Sequence, residues 1–157
     1  MLGRAVTVAA PAGLLIWILG SVSVGGVTLL TALAAALNGP GRLMGLDGMV
    51  LLAFLLGFPA NEIVLPVLLM GYLQTGTLTA YGSLAELSAV LTANGWTTQT
   101  AVCMLVLCLL HFPCGTTCLT ILRETGSARW TALAAALPTA MGAALCMAIH
   151  GVWTLLG

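Results

Sequence analysis

The sequence predicts an all-α fold, a polytopic bundle of membrane helices in which two segments are broken at a proline into half-helices. Three observations predict it. Of the 157 residues, 61% are hydrophobic and only 5% are charged, whereas a soluble domain carries about 25% charged residues. Apolar stretches recur at the length of a membrane span, which is roughly 20 residues. Two of these stretches are interrupted by a Phe-Pro pair.

The same composition excludes two classes of protein. All four basic residues are Arg, so the clustered cations that bind nucleic acid are lacking and no nucleic-acid partner is expected. The five Cys lie in apolar runs, which is not the pattern of a secreted disulfide framework. At about 20 residues a span, four spans and their connections fill residues 1–157. We therefore expect one multi-pass domain embedded in the lipid bilayer.

The first predicted span covers residues 5–24 and contains Pro11, which a membrane helix tolerates when its neighbours satisfy the freed carbonyl. No cleavage pattern follows it, so it is interpreted as a retained span and not a signal peptide. Residues 27–37 are too short to cross. The Asn-Gly-Pro-Gly cluster at 38–41 is a strong stop signal, so a half-depth or interfacial helix is predicted to end there.

The second apolar stretch, residues 49–73, follows a predicted N-cap at Asp47. It is interrupted at Gly57-Phe58-Pro59-Ala60-Asn61-Glu62. Because the break falls near the middle of the stretch, and a helix rises about 1.5 Å per residue, Glu62 is expected near the membrane midplane. A carboxylate at that depth costs at least ~2.5 kcal/mol and is functional by default.

A polar connection over residues 74–98 contains the capping box Ser83-Leu84-Ala85-Glu86, which predicts a short helix ending at Asn94-Gly95. The third stretch, residues 101–122, is broken at His111-Phe112-Pro113-Cys114-Gly115. The last predicted span covers residues 130–156. The positive-inside rule places three of the four Arg together on the cytoplasmic side: Arg42, Arg123 and Arg129.

Two broken helices at equivalent depths are the best sequence indication of a transporter binding site. Each proline removes one amide and displaces a carbonyl, so unpaired backbone groups and a new helix start lie inside the membrane. The side chains at the breaks suit a soft or borderline divalent metal. The candidate ligands are Cys114, Glu62, Asn61, His111 and Cys118. Because Cys118 follows Cys114 by one turn, both sulfurs are expected to face one cavity, whereas the remaining three Cys are interpreted as packing residues.

At these residues the sequence resembles a known family. The segments Leu56-Gly57-Phe58-Pro59-Ala60-Asn61-Glu62 and His111-Phe112-Pro113-Cys114-Gly115-Thr116-Thr117-Cys118 closely resemble the C-terminal membrane region of ferrous iron transport protein B (FeoB). The resemblance extends over nearly the whole chain, including Ala9-Ala10-Pro11-Ala12-Gly13 and Arg123-Glu124-Thr125-Gly126-Ser127.

The resemblance implies a bacterial inner-membrane uptake system for Fe²⁺, in which this chain corresponds to the second gate-type, or nucleoside-recognition-like, region. In that family the thiol of the Phe-Pro-Cys motif, here Cys114, is a candidate part of the iron path. With no Lys, the chain has no G-x-x-x-x-G-K-[ST] loop. GTP is therefore expected to act only through a domain outside this chain. The expected partners are that GTP-binding domain and the first gate region, and a second copy of the chain is a further candidate. Fe²⁺ is the transported ion, and no permanent cofactor is expected.

Three other functions stay open at this point. A permease for a nucleoside-like or other small solute predicts a drug-sized cavity with aromatic partners. A membrane scaffold or assembly subunit predicts that Glu62 and Cys114 are dispensable. An intramembrane hydrolase using His111 and Cys114 is disfavoured, because Pro113 adjoins the thiol and no third orienting group is evident, so an enzyme is not expected.

Overall fold

A computed structural model describes residues 2–59, 61–75 and 82–156, with side chains described from residue 10 onward apart from residue 24. The predicted all-α class is confirmed. The helices of the described residues are α1 (Leu2–Ser21), α2 (Leu29–Leu43), α3 (Gly48–Leu56), α4 (Val64–Leu73), α5 (Leu84–Ala93), α6 (Thr98–Leu110), α7 (Gly115–Thr125) and α8 (Ala128–Leu156). A 3₁₀ turn, Asn61–Ile63, precedes α4, and β1 (Ser23–Val24) pairs with β2 (Val27–Thr28) between α1 and α2.

Two segments of the described residues are long and apolar enough to cross a membrane. One is Thr98–Thr125, 28 residues comprising α6 and α7, and the other is α8 with 29 residues. Helices α2 and α3 qualify as a third only when taken as one span bent by 110°. Residues 49–73, predicted to be a span, are not one of these.

Helices α3 and α4 form a re-entrant hairpin, so the prediction that residues 49–73 cross the membrane is wrong. Near the open end, a Cβ on Gly71 would lie 2.3 Å from the sulfur of Met49. Near the tip, a Cβ on Gly57 would lie 2.3 Å from Val64 Cγ2. These pairs show that α4 returns antiparallel along α3. Half-helices of 9 and 10 residues are each too short to cross alone, and the packing of α4 against α3 turns the chain back at the break.

The open end of the hairpin is closed by a chain of hydrogen bonds. Asp47 is the N-cap of α3, as predicted, and accepts from the amide of Val50 at 2.7 Å. Its second carboxylate oxygen accepts from the Tyr72 hydroxyl at the end of α4. The indole of Trp96 donates to the Tyr72 oxygen at 2.7 Å. The start of α3, the end of α4 and the loop before α6 therefore lie together at one end of the molecule.

The predicted stop at residues 38–41 is wrong, because α2 continues through Pro40 to Leu43. Tertiary contacts with the start of α3 stabilise this last turn. The Asn38 side chain accepts from the amide of Gly48 at 2.8 Å. A Cβ on Gly41 would lie 2.9 Å from the backbone of Asp47, so the end of α2 and the residue before α3 touch through their main chains.

The α5 helix agrees with its sequence signals. Ser83 accepts from the amide of Glu86 at 3.2 Å, and the Glu86 carboxylate accepts from the amide of Gly82 at 2.9 Å. The helix ends at Ala93, and Gly95 follows with a φ of +82°. Capping interactions are local in sequence, which is why they predicted these ends correctly.

Helices α6 and α8 pack antiparallel. Gln99 contacts His150, Cys103 contacts Cys146, and further along a Cβ on Gly142 would lie 3.1 Å from Leu110 Cβ. The start of α6 and the end of α8 are therefore at the same end of the bundle.

The Arg residues do not share one side as the positive-inside rule suggested. The corner after Arg42 reaches the start of α6, since a Cβ on Gly45 would lie 2.6 Å from the Gln99 amide nitrogen. Arg123 and Arg129 flank the α7–α8 turn at the far end of the Thr98–Thr125 span. Because the hairpin re-enters, it adds no crossing between Arg42 and that turn, and the predicted orientation fails.

Candidate functional site

The two breaks meet inside the bundle. The amide of Gly115, the first residue of α7, donates to the carbonyl oxygen of Phe58 at the hairpin tip at 2.7 Å. The rings of Phe58 and Phe112 lie 5.5 Å apart, tilted by 51°. Gly115 is buried, and a Cβ there would approach the Phe58 ring to 3.1 Å. One orphan amide of α7 is thus satisfied by a carbonyl freed at the other break.

His111 lies at the end of α6 between two aromatic rings. Its ring centroid is 5.2 Å from that of Phe54 and 5.3 Å from that of Phe112. Nδ1 lies 3.0 Å from the carbonyl oxygen of Cys108, and because a carbonyl only accepts, Nδ1 carries the proton. Nε2 is buried and has no hydrogen-bond partner among the described residues. A histidine ring nitrogen that is free of hydrogen bonds is a common metal-ligating group.

Cys114 is the N-cap residue of α7. Its sulfur lies 3.1 Å from the hydroxyl oxygen of Thr116 and 3.2 Å from that of Thr117. Both hydroxyls contact the thiol because both threonines belong to the turn that starts at Cys114.

Cys118 lies one turn further along α7, and its thiol donates to the carbonyl oxygen of Pro113 at 3.4 Å. It lines a cavity of about 280 Å³ beside Phe58 and Gly115, at the contact between the breaks. Cys114 is not part of that lining. The structure therefore brings Cys114, Cys118 and His111 to one break, but it turns the two thiols to different partners.

Asn61 and Glu62 lie on the 3₁₀ turn after the hairpin tip, and both side chains are exposed. Across the described part of the chain, no three His, Cys, Asp or Glu side chains are close enough to hold a metal ion together. The five candidate ligands are therefore divided between the two sides of the junction. The breaks meet through backbone and aromatic contacts.

A feature that sequence reasoning did not identify is an apolar cleft of about 760 Å³ between the breaks and α8. Phe58 and Phe112 form one wall, and small residues of α8 form the other. The α8 residues are Ala132, Ala135, Ala136, Thr139, Ala140 and Ala143. Their spacing of three and four residues is the signal of one helix face. Such volumes are typical of sites for small organic ligands.

With this geometry described, comparison with known proteins assigns a family. A family model described as "Gate: Nucleoside recognition" matches residues 2–128. The chain belongs to the Gate family. The matched region of this Gate domain includes the hairpin and both breaks, and such domains occur in FeoB-type proteins. No curated protein and no solved structure matches the chain. Family membership and apolar helices together make this a membrane domain associated with transport.

Proposed function

We propose that this Gate domain forms part of a ferrous iron uptake route in the bacterial inner membrane. The gate of this route is the junction between the hairpin tip and the α6/α7 break. The observation that carries the proposal is the 2.7 Å hydrogen bond from the Gly115 amide to the Phe58 carbonyl. It joins two interrupted helices at roughly 20 Å from the start of α6, which is mid-depth for a bilayer.

The chemistry at this junction suits a borderline divalent ion. Cys114 supplies a thiol, and Glu62 supplies an exposed carboxylate. His111 supplies an imidazole nitrogen that has no hydrogen-bond partner in the described part of the chain. Sulfur and nitrogen donors favour Fe(II), Mn(II), Co(II) or Zn(II) over magnesium and calcium. Ligands spread along the junction hold an ion weakly, which conduction requires, because a closed cage of ligands would trap it.

In this proposal Fe²⁺ is the cargo, and the ion passes when the hairpin tip separates from α7. Breaking the Gly115 to Phe58 contact frees a carbonyl oxygen beside Cys114 and Cys118. Asn61, which is exposed on the turn after the hairpin tip, offers an oxygen donor on the hairpin side. The energy for this movement comes from partner regions of FeoB type, the GTP-binding domain and the first gate, present in cis or as separate chains.

The test is Fe²⁺ uptake by cells that carry the complete transport system with substitutions in this domain. Cys114→Ser and Glu62→Gln should each lower uptake by about tenfold or more, because each removes a donor worth roughly 1.4 kcal/mol to the passing ion. Cys108→Ser is the matched control, since Cys108 is exposed and its thiol lies outside the junction. Unchanged uptake in both test variants, at equal protein levels, removes the proposal and favours a scaffold role.

The apolar cleft favours a second candidate function, a permease for a nucleoside-like solute. Phe58 and Phe112 are suitable stacking partners, although Thr139 is the single side chain with a hydroxyl among the cleft residues. Ala136→Trp fills this cleft from α8 and leaves every candidate metal ligand in place. Loss of labelled uridine uptake in this variant supports the permease, and unchanged uridine uptake contradicts it. Retained Fe²⁺ uptake agrees with an iron route that passes through the junction and not through the cleft.

A further inference from the structure

The apolar cleft between the breaks and α8 is open at its side. On the hairpin wall the side chains of Leu55 and Phe58 remain 54% and 41% exposed. The α8 wall follows one helix face from Ala132 to Ala143, a length of about 16 Å at about 1.5 Å per residue. Half of a hydrocarbon core is about 15 Å thick. The cleft therefore has the length of one leaflet, which is the reach of one acyl chain.

A cationic side chain lies at one end of this helix face. Arg129 precedes Ala132 by three residues and Ala136 by seven, so it lies on the same side of α8 as the cleft. Its neighbour Trp130 is 62% exposed, and exposed Trp residues of membrane helices lie at the membrane–water interface. Arg123, in the last turn of α7, lies just across the α7–α8 turn. The interfacial end of the cleft is thus the end with these two Arg.

Both guanidinium groups are free to bind a ligand. Arg123 and Arg129 are exposed, and neither has a hydrogen bond or an ion pair with the residues that the structure describes. Glu124 is also exposed here, so two Arg and one Glu leave this turn with one net positive charge. A guanidinium group binds a phosphate group through paired hydrogen bonds, and basic residues near the bilayer surface attract anionic lipids.

The interior of the cleft offers a ligand no free hydrogen-bond donor. Thr139 carries the single hydroxyl among the lining residues, and this hydroxyl donates to the carbonyl oxygen of Ala135 in its own helix at 2.7 Å. A solute with several polar groups would have to leave them unpaired in such a site, which is unfavourable. A hydrocarbon chain has no such groups. The lining therefore favours an acyl chain over a nucleoside-like solute as the occupant.

We propose that the cleft and the α7–α8 turn together form a binding site for one anionic phospholipid. One acyl chain lies between the aromatic wall and α8 and ends near Ala143. The phosphate group lies at the interface, where Arg129 and Arg123 bind it. The cleft selects the hydrocarbon chain, and the two Arg select the charge of the headgroup. This site does not depend on which solute the domain transports.

The experiment titrates the purified full chain in detergent micelles with phosphatidylglycerol or phosphatidylcholine of the same acyl chains, and measures retained lipid by native mass spectrometry. The wild type should retain one phosphatidylglycerol molecule about fivefold more tightly than phosphatidylcholine, the factor expected for one net positive charge near the bilayer surface. Arg129→Gln should lose this preference. Ala136→Trp fills the cleft and should weaken the binding of both lipids by about fivefold or more.

Two matched controls should bind both lipids as the wild type does. Arg42→Gln removes a cation at the opposite end of the bundle, and Leu137→Trp adds the same ring beside Ala136 at a side chain that is 52% exposed and outside the cleft lining. Equal affinity of the wild type for the two lipids overturns the proposal, and so does unchanged lipid binding in Ala136→Trp. A lipid-free dimer of the wild type that becomes monomeric in Ala136→Trp also overturns it, because the cleft then holds a second copy of the chain.

Discussion

Tyr72→Phe tests whether hydrogen bonds close the base of the re-entrant hairpin. The substitution removes one hydroxyl, which donates to Asp47 and accepts from Trp96 at 2.7 Å. A hydrogen bond to a charged group contributes about 1.5 to 3 kcal/mol and a neutral one about 0.5 to 1.5 kcal/mol. The expected loss in the free energy of unfolding is therefore about 2 to 4.5 kcal/mol. Asp47 still caps α3 through Val50, so the helix itself should persist.

The measurement is the free energy of unfolding of the purified chain in detergent micelles, followed by circular dichroism during titration with a denaturing detergent. Thr154→Val is the matched control, because its hydroxyl bonds only the exposed carbonyl of Gly151 at the end of α8. It should change the free energy by less than about 0.5 kcal/mol, as expected for a surface substitution. A Tyr72→Phe effect no larger than this control refutes the role assigned to the hydroxyl.

Two further predictions concern close packing and the buried imidazole. In Gly48→Ala the new Cβ would lie 1.9 Å from the Ala34 carbonyl oxygen. Helices α2 and α3 must therefore separate, and the free energy of unfolding should fall by about 3 kcal/mol or more. The control is Gly151→Ala, whose Cβ meets nothing within 4 Å, and its thermal unfolding temperature should be unchanged or raised. His111→Phe removes a buried nitrogen that has no partner among the residues the structure describes, and it also removes one 3.0 Å hydrogen bond. These two effects on stability are each about 1 kcal/mol and have opposite signs. Its unfolding should therefore match the wild type while Fe²⁺ uptake falls, and normal uptake would contradict a role for the imidazole in the route.

Local signals in the sequence predicted the helix ends well. Asp47 and Ser83 both accept hydrogen bonds from amides three residues later, as their N-cap positions indicate. The breaks at Phe58 and Phe112 also fall where the Phe-Pro pairs placed them. These features depend on interactions within a few residues, and proline acts on its own turn of helix. The helix end predicted at residues 38–41 was wrong. The unfavourable effect of Pro40 on the last turn of α2 is offset by the contact of this turn with Gly48.

The candidate site was predicted in part. Sequence reasoning identified the two segments that meet at Gly115 and Phe58, because broken helices must satisfy their backbone groups inside a membrane. The ligand roles of Cys114, Glu62, Asn61, His111 and Cys118 stay predictions. The residue types at a break show which chemistry is present, but not which side chain each polar atom will contact. The aromatic neighbours of His111 and the hydroxyl neighbours of Cys114 follow from side-chain directions that no spacing rule supplies.

The sequence by itself determined that this protein lies in a lipid bilayer, that it is helical, and where both helices are broken. Apolar content and the geometry of proline act locally and leave no alternative in a bilayer. Only the tertiary structure decided that α3 and α4 return to the same end and that α6 and α8 pair antiparallel. A chain broken at mid-depth can either continue or turn back. That choice depends on contacts between residues far apart in sequence, such as Asp47 with Tyr72 and Phe58 with Gly115.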